Sequence, residues 1–157
     1  MSSVAQAWQA ALAAEYAAAF GYGVAGPWLH GDSRMLAHAN QQAHRDLGEH
    51  TAAELTAAGL APEPPAADYP LPFPIADERS AHRYATDLET TAATAWRYLI
   101  AVAADPHADR GSLTATRLTA IRASAQAALT ASALRAMRWR RMSAPTKATV
   151  PFPGIDA

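Results

Sequence analysis

The chain has 157 residues and a formal net charge of −1, and half of its residues are hydrophobic. This length and composition favour one domain, spanning residues 1–157, and exclude a disordered chain, while the near-neutral charge gives no indication of nucleic acid or an anionic membrane as a partner. Cysteine is absent, which excludes disulfides, thiolate metal sites and cysteine nucleophiles.

The first predicted helix spans residues 4–25 and ends at Gly26-Pro27. One seam of this helix has spacings of four and three residues, at Trp8, Leu12, Glu15, Ala19 and Tyr22. Glu15 therefore lies on the apolar stripe. A carboxylate at this position is costly in a membrane, so we expect a buried soluble helix rather than a membrane span, and a cytoplasmic protein.

The second predicted helix spans residues 33–58, with Asp32 or Ser33 as its N-terminal cap and Gly59 just after its end. Its inward arc contains Leu36, Asn40, His44, Leu47, Thr51, Leu55 and Ala58. The opposite face is polar and is interpreted as solvated.

Residues 60–76 form a proline-rich segment, in which helix is forbidden and an extended polyproline II conformation is favoured. At roughly 3 Å per residue, this segment can span about 45 Å. A helix of about 25 to 30 residues is about 38 to 45 Å long. The segment can therefore run along the whole length of a helical bundle.

The third predicted helix spans residues 77–104, and Glu89 lies beside its inward arc, near an edge. The fourth spans residues 112–141 with Ser112 as its cap, and an extended tail follows over residues 143–157. The inward positions are Ala81, Ala85, Leu88, Ala92, Trp96, Leu99 and Ala103 on the third helix, and Leu118, Ile121, Ala125, Ala128, Leu129 and Ser132 on the fourth.

The connections predict the topology of an all-α, antiparallel four-helix bundle. Short loops join the first helix to the second and the third to the fourth, so each of these pairs is antiparallel. The long proline-rich crossover lets the third helix begin where the second began, which is the ferritin-like arrangement. An up-down-up-down bundle with a loose loop is the alternative.

Four short motifs, in this order and spacing, resemble a ferritin-like domain-of-unknown-function family common in actinobacteria. They are Glu15-Tyr16, Gly21-Tyr22-Gly23-Val24-Ala25-Gly26, Tyr69-Pro70-Leu71-Pro72-Phe73-Pro74 and Thr149-Val150-Pro151-Phe152-Pro153-Gly154. The resemblance covers nearly the whole chain. It implies a ferritin-like four-helix bundle and carries no assigned activity.

A dinuclear carboxylate site in such a bundle needs an inward Glu on two helices and a Glu-x-x-His pair on each of the other two. Helix 2 offers only Gln41-x-x-His44, with an amide in place of the bridging carboxylate. Helix 4 has no Asp, Glu or His between Ser112 and Met142. The sequence therefore predicts a degenerate di-iron site.

A mononuclear metal site is still compatible with the sequence. Glu15, His44 and Glu89 together offer two carboxylates and an imidazole, a donor set that suits one Fe, Mn or Zn ion. The alternative is that Glu15 is a buried acid neutralised by a cation, either protonated His44 or Arg122, because an unpaired buried carboxylate is costly. We favour this second interpretation and expect no other cofactor.

Basic residues surround Trp139 near the end of helix 4, at Arg135, Arg138, Arg140 and Arg141. Such a patch can bind RNA or an acidic partner. Cations are also favoured at a helix C-terminus by the macrodipole, so we interpret these arginines as structural. Likewise, Gly21-x-Gly23-x-x-Gly26 has the letters of a dinucleotide fingerprint without the strand-turn-helix context, so these glycines are better interpreted as allowing close helix approach or as ending the first helix.

The sequence therefore favours a non-catalytic structural or interaction protein that forms a homodimer, with no assigned catalytic residue and an undefined protein partner. Its contact surface is expected to include Phe73, Phe152 or Trp139, unless the two phenylalanines fill grooves of the bundle. One alternative is an oxidoreductase-like protein that binds one metal ion. The other is a carrier of a small apolar ligand, which would require a closed cavity between the helices.

Overall fold

In a computed structural model, which describes residues 2–143, 148–150 and 152–154, the chain forms four long helices. They are α1 (Val4–Ala25), α2 (Gly31–Ala57), α3 (Glu78–Ala104) and α4 (Ala115–Ser143), with a short 3-10 helix at Gly26–Trp28. Within these described ranges there is no β-strand, and only an isolated bridge joins Ser3 to Asp109. The predicted all-α class is confirmed.

The bounds of α1 match the prediction, whereas α2 begins at Gly31 rather than at Ser33. His30 is the capping residue of α2, and neither it nor Asp32 provides a side-chain cap. Gly31 has a φ of +50°, which a glycine adopts without steric cost. Ser33 instead lies inside the first turn, where its hydroxyl donates to the carbonyl of His30 and to Glu78.

The end of α2 agrees with the prediction, because Gly59 follows it with a φ of +77°. The amide of Gly59 donates to the Thr56 carbonyl and the amide of Leu60 to the Leu55 carbonyl. These two bonds define a Schellman motif, which satisfies carbonyls that the helix itself leaves free.

At the start of α3, Asp77 and Ser80 form a reciprocal capping box, so this boundary is one residue from the predicted one. The start of α4 was predicted wrongly at Ser112, since the helix begins at Ala115. The Thr114 hydroxyl accepts a hydrogen bond from the amide of Arg117 at 3.2 Å, so Thr114 performs the role expected of Ser112. The helix α4 ends at Ser143, two residues beyond the predicted end at 141, so the predicted start of the extended tail at residue 143 is wrong. Tail residues 144–147, 151 and 155–157 lie outside the described residues.

The helix α3 packs against both α1 and α4, and α1 also packs against α2. Near its start, α1 contacts the loop that follows α3, because the Val4 amide donates to the carbonyl of Asp109 at 2.9 Å. Near its end, α1 contacts α3 through Tyr22 and Glu89. No helix in the described part of the chain is long and apolar enough to cross a membrane.

The proline-rich segment contacts α1 at two places. The Gln9 side chain donates to the carbonyl of Ala61 at 2.7 Å, and the rings of Phe20 and Tyr69 lie 5.1 Å apart. Phe73 then packs edge-on against Tyr84 of α3, so the expectation that this ring fills a groove is met.

The same expectation is wrong for Phe152, because its side chain is 65% exposed and does not fill a groove of the bundle. Trp139 was expected at a contact surface and is instead fully buried, at 0% exposure, so it cannot contact a partner from this position.

Buried apolar residues form two clusters, one toward each end of α1. The first includes Trp8, Leu12, Trp96 and Leu99, and the second includes Tyr22, Tyr84, Leu88 and Trp139. Glu15 lies between the two clusters in the sequence of α1 and is itself fully buried. The apolar core is therefore interrupted by a carboxylate, and burial of a carboxylate is costly unless it is paired and hydrogen-bonded.

Candidate functional site: a buried carboxylate and histidine network

The structure brings together the three residues that the sequence singled out. Glu15 of α1, His44 of α2 and Glu89 of α3 are each 0% exposed. The His44 ring lies between the two carboxylates, with Nδ1 2.6 Å from Glu15 Oε2 and Nε2 3.1 Å from Glu89 Oε1. The inward positions predicted for Glu15 and His44 are confirmed. The prediction that Glu89 lies near an edge is wrong.

Indole and phenol groups supply further donors to the two carboxylates. Trp96 Nε1 donates to Glu15 Oε1 at 2.6 Å, so both oxygens of Glu15 are bonded. The Tyr22 hydroxyl donates to Glu89 Oε1, also at 2.6 Å. Hydrogen bonds to ionised acceptors are about twice as strong as neutral ones, so these contacts hold each carboxylate firmly in place.

A fourth helix contributes a cation to the site. Arg135 of α4 is only 13% exposed, and its Nε lies 3.0 Å from each oxygen of Glu89. Its Nη2 atom also donates to the hydroxyl of Ser132, one turn earlier on α4. The contact with Glu89 agrees with the structural interpretation of the basic run, but Arg135 acts by neutralising a buried acid and not only by its position near a helix C-terminus. Arg122, the cation considered in the sequence analysis, is exposed and contacts Thr119.

Tyr22 connects this ionic group to the second apolar cluster. Its hydroxyl accepts hydrogen bonds from Trp139 Nε1 at 2.7 Å and from the Asn40 side chain at 3.1 Å. Its ring is stacked on that of His44, with centroids 5.8 Å apart. Burial, followed by the charge of Glu89, raises the pKa of Tyr22 well above 10, so its hydroxyl remains a neutral donor.

The imidazole of His44 is held in its charged form. Burial alone lowers the pKa of a histidine, but the hydrogen bonds and charges of Glu15 and Glu89 outweigh it and raise the pKa of His44 from 6.5 to about 9. At neutral pH both ring nitrogens then donate. Two carboxylates face one imidazolium and the guanidinium of Arg135, so the formal charge of the four groups sums to zero.

The spacing of residues on each helix explains why these side chains meet. Tyr22 follows Glu15 by two helical turns, and Asn40 precedes His44 by one turn. On α3, Trp96 follows Glu89 by two turns, so both lie on the face that contacts α1. The polar side chains of neighbouring helices therefore lie at similar positions along the bundle axis.

The sequence analysis missed the roles of Trp96, Trp139 and Arg135. The sequence does contain a signal for Trp139 and Arg135. Together with Ser132 they continue the apolar stripe of α4 at spacings of three and four. Trp96 was placed correctly on the inward arc but was treated only as an apolar residue. An indole that is buried normally needs an acceptor for its N–H, which could have linked it to Glu15.

The predicted metal site can be compared with this geometry. Among the residues that the structure describes, no group of three or more His, Cys, Asp or Glu side chains is arranged to hold a metal ion. Glu15 and Glu89 face opposite nitrogens of the His44 ring, so in this arrangement one ion could contact at most one carboxylate together with the imidazole. Arg135 lies against Glu89 and would repel a cation there.

Other histidines do not join the site. Four of them, His30, His38, His50 and His107, are exposed. His82 packs beside Trp139, with ring centroids 5.6 Å apart. Gln41, considered as a replacement for a bridging carboxylate, donates instead to the carbonyl of Ala19 at 2.9 Å.

Comparison with known proteins places the chain in a family. A family model described as a domain of unknown function, DUF4439, matches residues 7–157. The crystal structure of a conserved hypothetical protein, Rv2844, from Mycobacterium tuberculosis is similar, with a TM-score of 0.73 and 31% sequence identity over 87% of this chain and 94% of that chain. No curated protein matches the chain. The chain therefore belongs to the DUF4439 family.

Proposed function

We propose that this protein is a non-catalytic helical bundle with a structural or interaction role, in which a neutral network of buried charges replaces a metal centre. Glu15, His44 and Glu89 are the residues of a degenerate site, and Arg135 provides the positive charge that an ion would otherwise supply. The network then acts to fix how the four helices align rather than to carry out a reaction.

One observation carries this proposal: the polar atoms of the network are already bonded to one another. Glu15 is bonded to Trp96 and His44, and Glu89 is bonded to Tyr22, His44 and Arg135. The one buried side-chain nitrogen or oxygen without a partner, in the described part of the chain, is Nε2 of His82. A catalytic or metal-binding group usually keeps an open coordination or substrate position, whereas every carboxylate oxygen and ring nitrogen of Glu15, His44 and Glu89 already has a partner.

We further propose that the bundle has the ferritin-like connectivity, with antiparallel neighbours and a proline-rich crossover. The contacts between α1 and α3 support opposite directions, because Glu15 bonds to Trp96 and the later Tyr22 bonds to the earlier Glu89. Contacts of the crossover with Gln9 and then with Phe20 support a path along α1.

The homodimer predicted from the sequence is retained as part of the proposal. Several large apolar side chains are at least 40% exposed and are the candidates for such a contact. They are Phe20, Trp28, Met35, Leu71, Tyr98, Leu134, Met142, Val150 and Phe152. Light scattering coupled to size-exclusion chromatography tests this part, and a monomer at all concentrations contradicts it.

The main test is metal content together with thermal stability. Protein purified without a histidine tag or chelator is analysed by elemental mass spectrometry, and its melting temperature is measured with added Fe(II), Mn(II) or Zn(II) and with EDTA. We expect substoichiometric metal and an unchanged melting temperature. Stoichiometric metal that is lost in Glu15→Gln would contradict the proposal.

The second candidate function is a mononuclear metal protein, favoured by the convergence of Glu15, His44 and Glu89 in the core. Arg135 separates the two candidates. If its guanidinium substitutes for an ion, Arg135→Ala should gain affinity for Zn(II), measured by titration calorimetry, relative to the wild type. If the wild type itself binds an ion in the network, Arg135→Ala brings no such gain.

A further inference from the structure

A groove of about 480 Å³ lies on the outer side of α3 and α4, beneath the tail. Its apolar wall comes from α4 and from tail residues 149, 150, 152 and 153, and it includes Leu129, Ala133, Leu134, Met137, Val150 and Phe152. This position differs from the closed cavity between helices that a carrier was predicted to have. The volume lies in the range of sites that bind small molecules.

The groove also contains two half-buried arginines, Arg97 of α3 and Arg140 of α4. Arg140 donates to the Thr90 hydroxyl at 3.1 Å, which positions its guanidinium. Asp87 is near enough for the charge of Arg140 to lower its pKa, although burial has the larger, opposite effect. Within the described ranges, neither arginine forms an ion pair with a carboxylate.

Beside the groove, the backbone of the tail lies very close to α3 at Gly154. Gly154 has a φ of +78°, and a Cβ atom built there would lie 2.9 Å from the carbonyl oxygen of Ala93 and 3.1 Å from the Arg97 side chain. The backbone therefore approaches α3 as closely as only glycine allows. In contrast, the apolar side chains at the rim are left in solvent, with Leu134 52% and Phe152 65% exposed.

We propose that this groove binds a single-chain amphiphile with a carboxylate head, of the fatty-acid type. The acyl chain would lie along Leu129, Ala133 and Met137, and it would cover the exposed rim. The carboxylate would be bound by Arg97 and Arg140, since a guanidinium matches a carboxylate with paired, charge-assisted hydrogen bonds. An apolar groove with two cations at its wall favours this ligand over a neutral or cationic one.

Titration calorimetry with dodecanoate, below its micelle concentration, tests the proposal. Dodecanol and dodecyltrimethylammonium carry a chain of the same length with a neutral or a cationic head. We expect stoichiometric binding of dodecanoate, and affinity weaker by at least about tenfold for both controls and for the double variant Arg97→Gln with Arg140→Gln. A second variant, Ala133→Trp, should fill the groove and remove binding, and circular dichroism checks that both variants are folded.

Absence of dodecanoate binding, or equal affinity in the double arginine variant, overturns the proposal. If the groove instead receives a second copy of the chain, the wild type is a dimer, Leu134→Glu makes it monomeric and dodecanoate does not bind. None of the groove residues belongs to the buried network, so this experiment succeeds or fails independently of the metal-content test of the proposed function.

Discussion

Arg135 and Glu89 form a buried ion pair between α4 and α3, with the guanidinium Nε 3.0 Å from both carboxylate oxygens. The pair attaches α4 to the network that α1, α2 and α3 share. Because Glu89 is fully buried, its charge cannot be compensated by water if the arginine is removed. The pair is therefore expected to matter far more than the other arginines of the same basic run.

Replacing Arg135 with glutamine should lower the free energy of unfolding by about 3 kcal/mol, since removal of one partner leaves an uncompensated buried charge. Urea denaturation monitored by circular dichroism measures the change. Arg138→Gln is the matched control, because Arg138 is exposed on the same helix and its loss should change stability by less than about 0.5 kcal/mol. Equal effects of the two substitutions would rule out the role assigned to Arg135.

The pH dependence of stability should report on His44. The pKa of His44 is raised from 6.5 to about 9 in the folded state, so its stabilising contribution is complete below pH 6.5 and is lost as pH rises through about 9. This difference corresponds to at most about 3 kcal/mol. Burial lowers the pKa of His82 below 6.5, so His82 stays neutral throughout this window.

The measurement is the free energy of unfolding of the wild type and of His44→Gln, from pH 6.5 to beyond pH 9. We expect the wild type to lose stability more steeply than the variant over this range. Subtracting the two curves removes the contributions of groups that titrate elsewhere in the chain. Parallel curves would mean that His44 is not charged in the folded protein.

Much of this fold could be predicted because the helix signals are local. The seam that includes Glu15 and the glycine that ends α2, Gly59, are signals that act within one or two helical turns. His44 could be placed in the core for the same reason, since apolar residues recur around it on one face of α2.

The role of Arg135 is harder to predict from the sequence. The helix α4 is rich in alanine and has apolar residues on several sides, so its buried face is poorly marked by side-chain size. Which arginine points inward depends on how α4 is rotated against α3, and that rotation is set by tertiary packing. The raised pKa of His44 also depends on two carboxylates from other helices, which no local pattern reveals.

Two tryptophans test whether the charge of the acceptor decides the strength of a buried hydrogen bond. Trp96 donates to the carboxylate of Glu15, whereas Trp139 donates to the neutral hydroxyl of Tyr22. Replacement of either one by phenylalanine removes an indole N–H from a fully or almost fully buried position. We expect loss of the hydrogen bond to lower the free energy of unfolding by about 1.5–3 kcal/mol at Trp96 and by about 0.5–1.5 kcal/mol at Trp139.

Denaturant titrations of Trp96→Phe and Trp139→Phe provide the comparison, and the similar loss of ring volume in both variants makes them controls for each other. The idea fails if Trp139→Phe is the more damaging of the two.

Gly21 marks a close approach of α1 to α3 that can be tested with a single methyl group. A Cβ atom at this position would lie 2.5 Å from a Leu88 methyl carbon and 2.8 Å from the Tyr84 hydroxyl. Leu88 and Tyr84 are both buried, so they have little room to move away. Gly21→Ala should therefore reduce the free energy of unfolding by about 1–3 kcal/mol, as overpacking of a core does.

Gly26→Ala is the matched control for this substitution. Gly26 has a helical φ of −51°, and apart from its chain neighbours a Cβ atom there would meet no heavy atom within 4 Å. The residue before a proline is disfavoured in the helical region, and at Gly26, which precedes Pro27, this cost opposes the gain from a more restricted unfolded chain. The free energy of unfolding of Gly26→Ala is therefore expected to change by less than about 1 kcal/mol. Thermal or urea denaturation should show a clearly larger loss for Gly21→Ala than for Gly26→Ala, and equal losses would mean that close packing against α3 is not what requires glycine at position 21.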